Sequence, residues 1–437
     1  MPSLERLSAE DVRILHLESE TIAGHTCKVV IFERIRGRDL CDLVRQRIAE
    51  RLDRVPRARQ CVVPTKGPDR GACWCDDPAF AIERHVRPAI ATGGRMARDG
   101  LRALVAEIMA GRLDRNHPLW SIDVVDSLAG GRSALVWRIH HCMADGMTAM
   151  HWMSELLFDD VDEGPSQPKE APIASPAGRP ARLHSFATVE HAPAVLAREL
   201  RPGSESAPFA AAIGRNRAVA FARGSLAEMH TAARSHEPGA TINDVLLTVV
   251  AGGVRHWLES QDLPLHAIRL KVPVSMHAAR GADLGNRDSF MFVDVPLADP
   301  DARSRLRAVH RQTANRKEHH DAQTLYSVFD TLGRVAPLGH AVTRLSMSPH
   351  VFAVNVSNVP GPRDVRTLHA ARVDELYSLA EIAPHHALRV AAASLAGSMF
   401  VGLNVDPDAV PAVDVLATGI QASMAELADA ADSSTAT

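Results

Sequence analysis

The sequence predicts an α/β protein built as two mixed-sheet domains facing each other, and three observations carry that prediction. Its 437 residues exceed the size at which a single hydrophobic core keeps growing. The stretch EGPSQPKEAPIASPAGRP over 163–180 spaces prolines every three or four residues, which excludes a helix interior and most sheet positions. On both sides of it, β-branched runs alternate with segments of helical apolar spacing. The expected division is an N-terminal domain over 1–163, a Pro-rich linker over 164–205, a C-terminal domain over 206–429 and a polar, disordered tail over 430–437.

The elements follow in order. Residues 27–32 (CKVVIF) form a β-branched run, 39–52 have helical apolar spacing, and 133–139 (SALVWRI) read as a buried strand. After Gly146, the residues Met147, Met150, Met153 and Leu157 recur as one face of a helix. In the second half, 242–258 read as a helix, and 269–274, 290–295 and 352–356 as strands.

Composition narrows the function. A formal net charge of −3 and 4% aromatic residues supply neither the basic field nor the stacking platforms that nucleic acid requires. Six cysteines in a chain too long to need stapling, after a start without basic and apolar signal blocks, point to a reducing cytoplasm. Cys73 and Cys75 have no matching second pair, so they read as strand residues and not as zinc ligands. No run of apolar residues is long enough to span a bilayer. The basic residues Arg303, Arg305, Arg307, Arg311, Arg316 and Lys317 fit a solvated helix face, the commoner meaning of such a run, or a peripheral contact with an inner membrane surface or lipid droplet.

The chemistry concentrates at residues 140–146, His-His-Cys-Met-Ala-Asp-Gly. A strand ends here, a short turn follows and a helix begins. Successive strand residues point to opposite faces, so one histidine looks into a given cleft and the other is structural. An imidazole takes a proton from a hydroxyl as that oxygen attacks a carbonyl, then returns it to the leaving group. Asp145, at the start of the helix, suits capping or pairing with a cation better than proton relay, and Gly146 permits a tight approach. The same residues also fit a hydrogen-bonded core pair followed by an ordinary turn. The chain carries its own controls: His319-His320 and His385-His386 lack Asp-Gly at that interval and read as structural. No metal is expected, because neighbouring strand histidines diverge.

HHCMADG resembles the HHxxxDG motif of the wax ester synthase/diacylglycerol acyltransferase family, a branch of the chloramphenicol acetyltransferase-like and condensation-domain fold. Similar segments run in order along nearly the whole chain: RLSAEDVRILHLES, WCDDPAFAIERHVR, LDRNHPLW, TINDVLL, KVPVSM, GNRDSFMFVDVPL and NVSNVPGP. The resemblance implies two chloramphenicol acetyltransferase-like mixed-sheet domains with a tunnel between them. It places His141 at the centre, with His140, Asp145 and Gly146 beside it as catalytic support. Pro118, Leu119 and Trp120, then Asn243 and Asp244, then Gly285 and Asn286 match further motifs held to shape the tunnel. Each has an ordinary reading too: a strand start, a helix cap with Asn243, a turn.

The activity so implied is an acyl-CoA-dependent O-acyltransferase that esterifies diacylglycerol, a long-chain alcohol, or both. Transfer is direct, with acyl-CoA as co-substrate and no other cofactor; Asn243 or a backbone N–H is the expected oxyanion donor. A small polar alcohol or amine as acceptor, and a lipid-binding homologue with weak catalysis, are the alternatives. Apolar residues such as Leu325, Val328, Phe329, Leu332, Leu338, Val342 and Leu345 are candidate tunnel lining. The chain departs from the family in two places: His277 stands where an arginine is common, the nearest being Arg280, and LRVAAASLAGSMFVGL lacks a frequent tyrosine.

Overall fold

A computed structural model describes residues 5–65, 71–89, 94–160, 195–203, 208–275, 288–319, 321–322, 324–325 and 345–435. Its core consists of two six-stranded sheets. The first has the order β12-β13-β2-β7-β6-β5, with β2 at His25–Glu33, β5 at Val86–Pro88, β6 at Trp120–Leu128, β7 at Arg132–His140, β12 at Thr367–Leu368 and β13 at Ala371–Ala380. The second has the order β10-β9-β11-β14-β15-β8, with β8 at Ala218–Ser225, β9 at Ile268–Ser275, β10 at Asp288–Val295, β11 at Val354–Val359, β14 at Leu388–Leu395 and β15 at Ser398–Val405. A small antiparallel sheet joins β1 (Glu5–Arg6), β4 (Ala72–Asp76) and β3 (Gln60–Pro64). Cys73 and Cys75 lie on β4, as strand residues.

The expected strands and helices over 27–32, 39–52, 133–139 and 242–258 appear as β2, helix Leu40–Arg51, β7 and helix Ile242–Ser260. The long helix is buried along most of its length and packs its apolar residues on the outer face of the second sheet, where Leu270, Val272, Val354, Val356, Val390 and Leu403 point. A fully buried side chain of that size contributes about 1.5–3 kcal/mol, so this layer is the main anchor of the C-terminal half.

The chain does not divide by sheet where it divides by sequence. After β11 it crosses to the first sheet, adds β12 and β13 beside β2, and returns as β14. Seven of the eight residues of β13 from Val373 to Ala380 pair with β2 in register, with one irregularity at Val373/Glu375. On its other side β13 meets β12 only at Ala371 and Arg372, so the remaining edge is open to the second sheet. Asn404 of β15 donates its Nδ2 to the Ala380 carbonyl there at 3.0 Å. An unpaired edge is thus covered by the face of the neighbouring sheet.

Two boundaries differ from expectation. Within the span read as linker, residues 195–199 are helical, and Glu199 is fully buried, accepting the Phe292 N–H at 2.9 Å and Arg316 at 3.0 Å. Val195 and Leu200 supply the apolar anchors; the proline-rich part before them lies outside the described residues. The C-terminal helix runs Val413–Thr435 and does not stop at 429, because Ala-rich ADAAD continues a strong helix former past the buried Leu427. The basic helix Ala302–Glu318 turns Arg305 and Arg316 inward, so its cations do not share one exposed face. Among the described residues no helix is long and apolar enough to cross a membrane.

Candidate active site

At the end of β7 both neighbouring ladders continue: the His140 N–H donates to the Leu119 carbonyl just before β6, and the His141 N–H to the Gly24 carbonyl just before β2, both at 2.9 Å. Alternation then sends the two imidazoles to opposite faces. His140 is fully buried. Its Nδ1 accepts the Cys142 N–H at 3.2 Å, which assigns the proton to Nε2, and Nε2 lies 3.2 Å from Glu18 Oε1. Glu18 also takes Arg115 Nε at 2.7 Å. Burial is the largest single influence on the Glu18 carboxyl and pushes it up, but His140 and Arg115 together outweigh it and hold it below the usual range. Gly24 completes the socket: at φ +71° a Cβ there would stand 2.6 Å from His140 Nε2, so this turn accepts no side chain.

His141, on the opposite face, is half-buried, with Nδ1 enclosed. Burial, followed by the positive charge of Arg389, holds its imidazole down to about 4, with Asp145 acting in the opposite direction. The ring is therefore neutral at physiological pH, the form that accepts a proton.

Asp145 is the N-cap of helix Gly146–Leu156, its carboxylate accepting the Thr148 N–H at 2.7 Å. It is buried, and it acts electrostatically on Lys28, an ammonium held down to about 8 by burial despite the opposing pull of Cys27 and Asp145. Lys28 Nζ donates to Ser378 Oγ at 2.7 Å. At Gly146 the helix start comes against β11, where a Cβ would meet Val359 Cγ2 at 2.7 Å. Asp145→Ala is expected to destabilise the protein by about 0.5–2 kcal/mol and to lower kcat, because the loosened turn also carries His141. A denaturation midpoint and a rate both equal to wild type would contradict this.

The remaining predicted residues divide. Pro118, Leu119 and Trp120 are buried. Trp120 stacks on His85 with 4.5 Å between centroids and donates Nε1 to the Ala58 carbonyl at 2.8 Å, while Leu119 receives His140. They brace the histidine strand from behind. Asn243 is half-buried at the second position of its helix, whose cap is Thr241, not Asn243; Asp244 closes the capping box. The buried Asp244 carboxylate also takes Thr313 Oγ1 at 2.7 Å and meets His310 Nδ1 at 3.1 Å, clamping two helices together. Gly285, Asn286, His277, Arg280 and His320 lie outside the described residues, as do Val328, Phe329, Leu332, Leu338 and Val342; Leu325 is buried and Leu345 exposed. Of the control pairs, His386 is a core residue stacked on Phe352 at 4.0 Å. His319 turns its Nδ1 back to the Asn315 carbonyl. An open, polar hollow of about 420 Å³ sits elsewhere, between Glu237, Asp299, Arg307 and Arg311.

Sequence reasoning missed Glu18, Lys28 and Arg389. Glu18 lies inside a segment quoted for its resemblance, but nothing local ties it to His140. Lys28 had a readable signal: a lysine in a strand otherwise apolar on both faces is costly to bury and calls for a reason.

The chain matches two family models, described as the wax ester synthase/diacylglycerol acyltransferase catalytic domain over residues 7–201 and the WS/DGAT C-terminal domain over 284–428. A Mycobacterium tuberculosis protein named as a diacylglycerol O-acyltransferase is 30% identical over 98% of both chains. Among solved structures, the wax ester synthase/diacylglycerol acyltransferase of Marinobacter aquaeolei VT8 superposes with a TM-score of 0.71 at 21% identity, covering 98% of this chain and 100% of the other. The starter condensation domain of rhizomide synthetase, in complex with C8-CoA, gives a TM-score of 0.60 at 14% identity over 98% and 95%. These similarities establish the two-sheet chloramphenicol acetyltransferase-like fold.

Proposed function

The chain belongs to the wax ester synthase/diacylglycerol acyltransferase family and is an acyltransferase, and we propose that it moves the acyl group of an acyl-CoA directly onto the hydroxyl of a lipid alcohol. The acceptor is diacylglycerol or a long-chain alcohol, and His141 is the general base. With Nδ1 enclosed, Nε2 takes the hydroxyl proton as the oxygen attacks the thioester carbon. The carbonyl pair moves to oxygen, the tetrahedral centre collapses to the ester, and the departing thiolate takes the proton back from the imidazolium.

One observation carries this reading: a neutral, partly accessible imidazole stands back to back with a fully buried one. His140 is fully buried, with Nδ1 accepting the Cys142 N–H and Nε2 set 3.2 Å from Glu18 Oε1, so of the two rings the second is the one assigned to proton transfer. An acyl-enzyme is disfavoured, because Cys142 is buried and its thiol is pushed well above the usual range, first by burial. Acyl-CoA as donor is supported by the related condensation domain described in complex with C8-CoA.

The test supplies purified protein with a long-chain acyl-CoA and, in parallel, a diacylglycerol, hexadecanol and a short alcohol, with products resolved by class. Esters of the first two are expected. Product from the short alcohol alone would move the acceptor to the small polar class, and absence of CoA release from all three would reject the reading.

A further inference from the structure

The loop between helix Ala9–Leu17 and β2 holds the histidine pair at both of its ends. At its start, Glu18 faces His140 Nε2. At its end, the Gly24 carbonyl accepts the His141 N–H, and Gly24 leaves no room for a Cβ beside the His140 ring. Inside the loop the Ser19 N–H donates to the Ile22 carbonyl at 3.0 Å. Further hold comes from the far half of the chain.

Two segments reach the loop from there. β13, the strand that crosses to the first sheet, stays in register with β2 as far as Ala380 and Thr26, so the next residue, Glu381, arrives where β2 begins. Its Oε2 accepts the buried Ala23 N–H at 3.2 Å. Its Oε1 accepts the Ile382 N–H and Arg217 Nε, both at 3.1 Å. Arg217 stands just before β8. Its guanidinium also donates to the Gly214 carbonyl at 2.9 Å, to the Asn216 carbonyl at 2.8 Å and to the Thr21 carbonyl of the loop. The two side chains are enclosed, at 1% and 9% exposed. Burial pushes the Glu381 carboxyl up, and Arg217 acts against it. The segment is anchored in turn at the end of β15, where Asp406 accepts the Gly214 N–H at 2.5 Å and donates its own N–H to the Ala387 carbonyl at 3.0 Å.

Resting on the reading of His141 as the base, we propose that Arg217 and Glu381 are positioning residues for it. The pair fixes Thr21 and Ala23, and Ala23 precedes the glycine whose carbonyl holds the His141 backbone. A buried N–H keeps its place only while an acceptor faces it. Once the Ala23 N–H is released, the Gly24 peptide is free to rotate and the His141 backbone moves with it. The base is therefore set from the C-terminal half: its position is complete only when β13 and residues 214–217 are docked on the first sheet.

The test is Glu381→Gln, which keeps the size of the side chain. A carboxylate offers two acceptor oxygens and an amide one. That oxygen cannot serve Arg217 and Ile382 on one side and Ala23 on the other, so a donor is left facing an NH2 group. The rate constant kcat should fall on the order of 10- to 10²-fold, with KM for acyl-CoA nearly unchanged. Hydrogen exchange followed by mass spectrometry should accelerate over residues 140–146 and stay at the wild-type rate in helix Ile242–Ser260. Arg217→Lys keeps the charge but loses the fixed fork of donors, and should move both readouts the same way by less. Glu20→Ala, which removes the exposed partner of Arg215 on the same loop, should move neither. Wild-type exchange over 140–146 in Glu381→Gln, equal acceleration in both segments, or wild-type kcat overturns this proposal. If the glutamine variant does not fold, Arg217→Lys decides by the same three results. A wild-type protein that turns over no acceptor overturns the acyl-transfer reading, and exchange, which needs no substrate, still judges the pair's hold on the histidine backbone.

Discussion

His141→Ala lowers kcat for ester formation about 10²- to 10⁴-fold and leaves Tm close to wild type. Both halves of that expectation come from the ring's surroundings. It is half-buried and neutral, with burial and Arg389 holding it down to about 4, so its removal strands no buried charge. The rate falls because the ring that takes the hydroxyl proton is gone. The wild-type acid limb follows from the same number. A base protonated only near pH 4 keeps kcat/KM level well below pH 6.5, where an unperturbed histidine would fail. The sign for stability is the reverse of a paired histidine's. Between the ordinary value and about 4 the unfolded chain binds the proton and the folded one does not, so this ring's contribution is intact above 6.5 and is lost as pH falls toward 4. Near-normal turnover in a purified, folded His141→Ala protein would remove the residue from the mechanism. An acid limb centred on 6.5 would remove the neutral-ring argument.

What the sequence exposes is local. β2, β7, helix Gly146–Leu156 and helix Ile242–Ser260 are legible because each carries its own period or β-branched run. β13 is not: it is buried on both faces from Leu376 to Ala380, so no alternation marks it, and no signal in residues 371–380 says that it crosses to the other half's sheet. β14 and β15 read as one apolar run because only Ala396 and Gly397, both at positive φ, separate them. Proline, leucine and tryptophan at 118–120 announced importance without direction, and the structure sets them behind the histidines as bracing. That the two histidines face opposite ways was legible from alternation, while the choice of His141 came from the family resemblance. Which groups hold His140 was not, since Glu18, Gly24 and Arg115 are brought to it by tertiary packing.

Those groups make the second large prediction. Glu18→Ala removes the acceptor facing His140 Nε2, in a socket where His140 is fully buried and the Glu18 side chain is 4% exposed. Leaving a buried N–H without its charged partner costs about 2–4 kcal/mol. The imidazole must then tilt or admit water, and either shifts the backbone that carries His141. A displacement of about 1 Å at the base is enough for roughly 10²-fold in rate, so stability and kcat fall together. Glu18→Gln separates the two causes. Its carbonyl oxygen keeps a polar acceptor facing His140 Nε2, so most of the rate returns, while the charge toward Arg115 is gone. Because the Glu18 carboxyl is held below its ordinary range, its contribution to stability is complete above about 4.5 and is lost as pH falls further; the glutamine variant should show a flatter stability curve across that acid range. Wild-type Tm and kcat in Glu18→Ala would mean that the buried pair holds neither the fold nor the base. A Glu18→Gln protein as slow as Glu18→Ala would mean that charge, and not the hydrogen bond, sets the position of the ring.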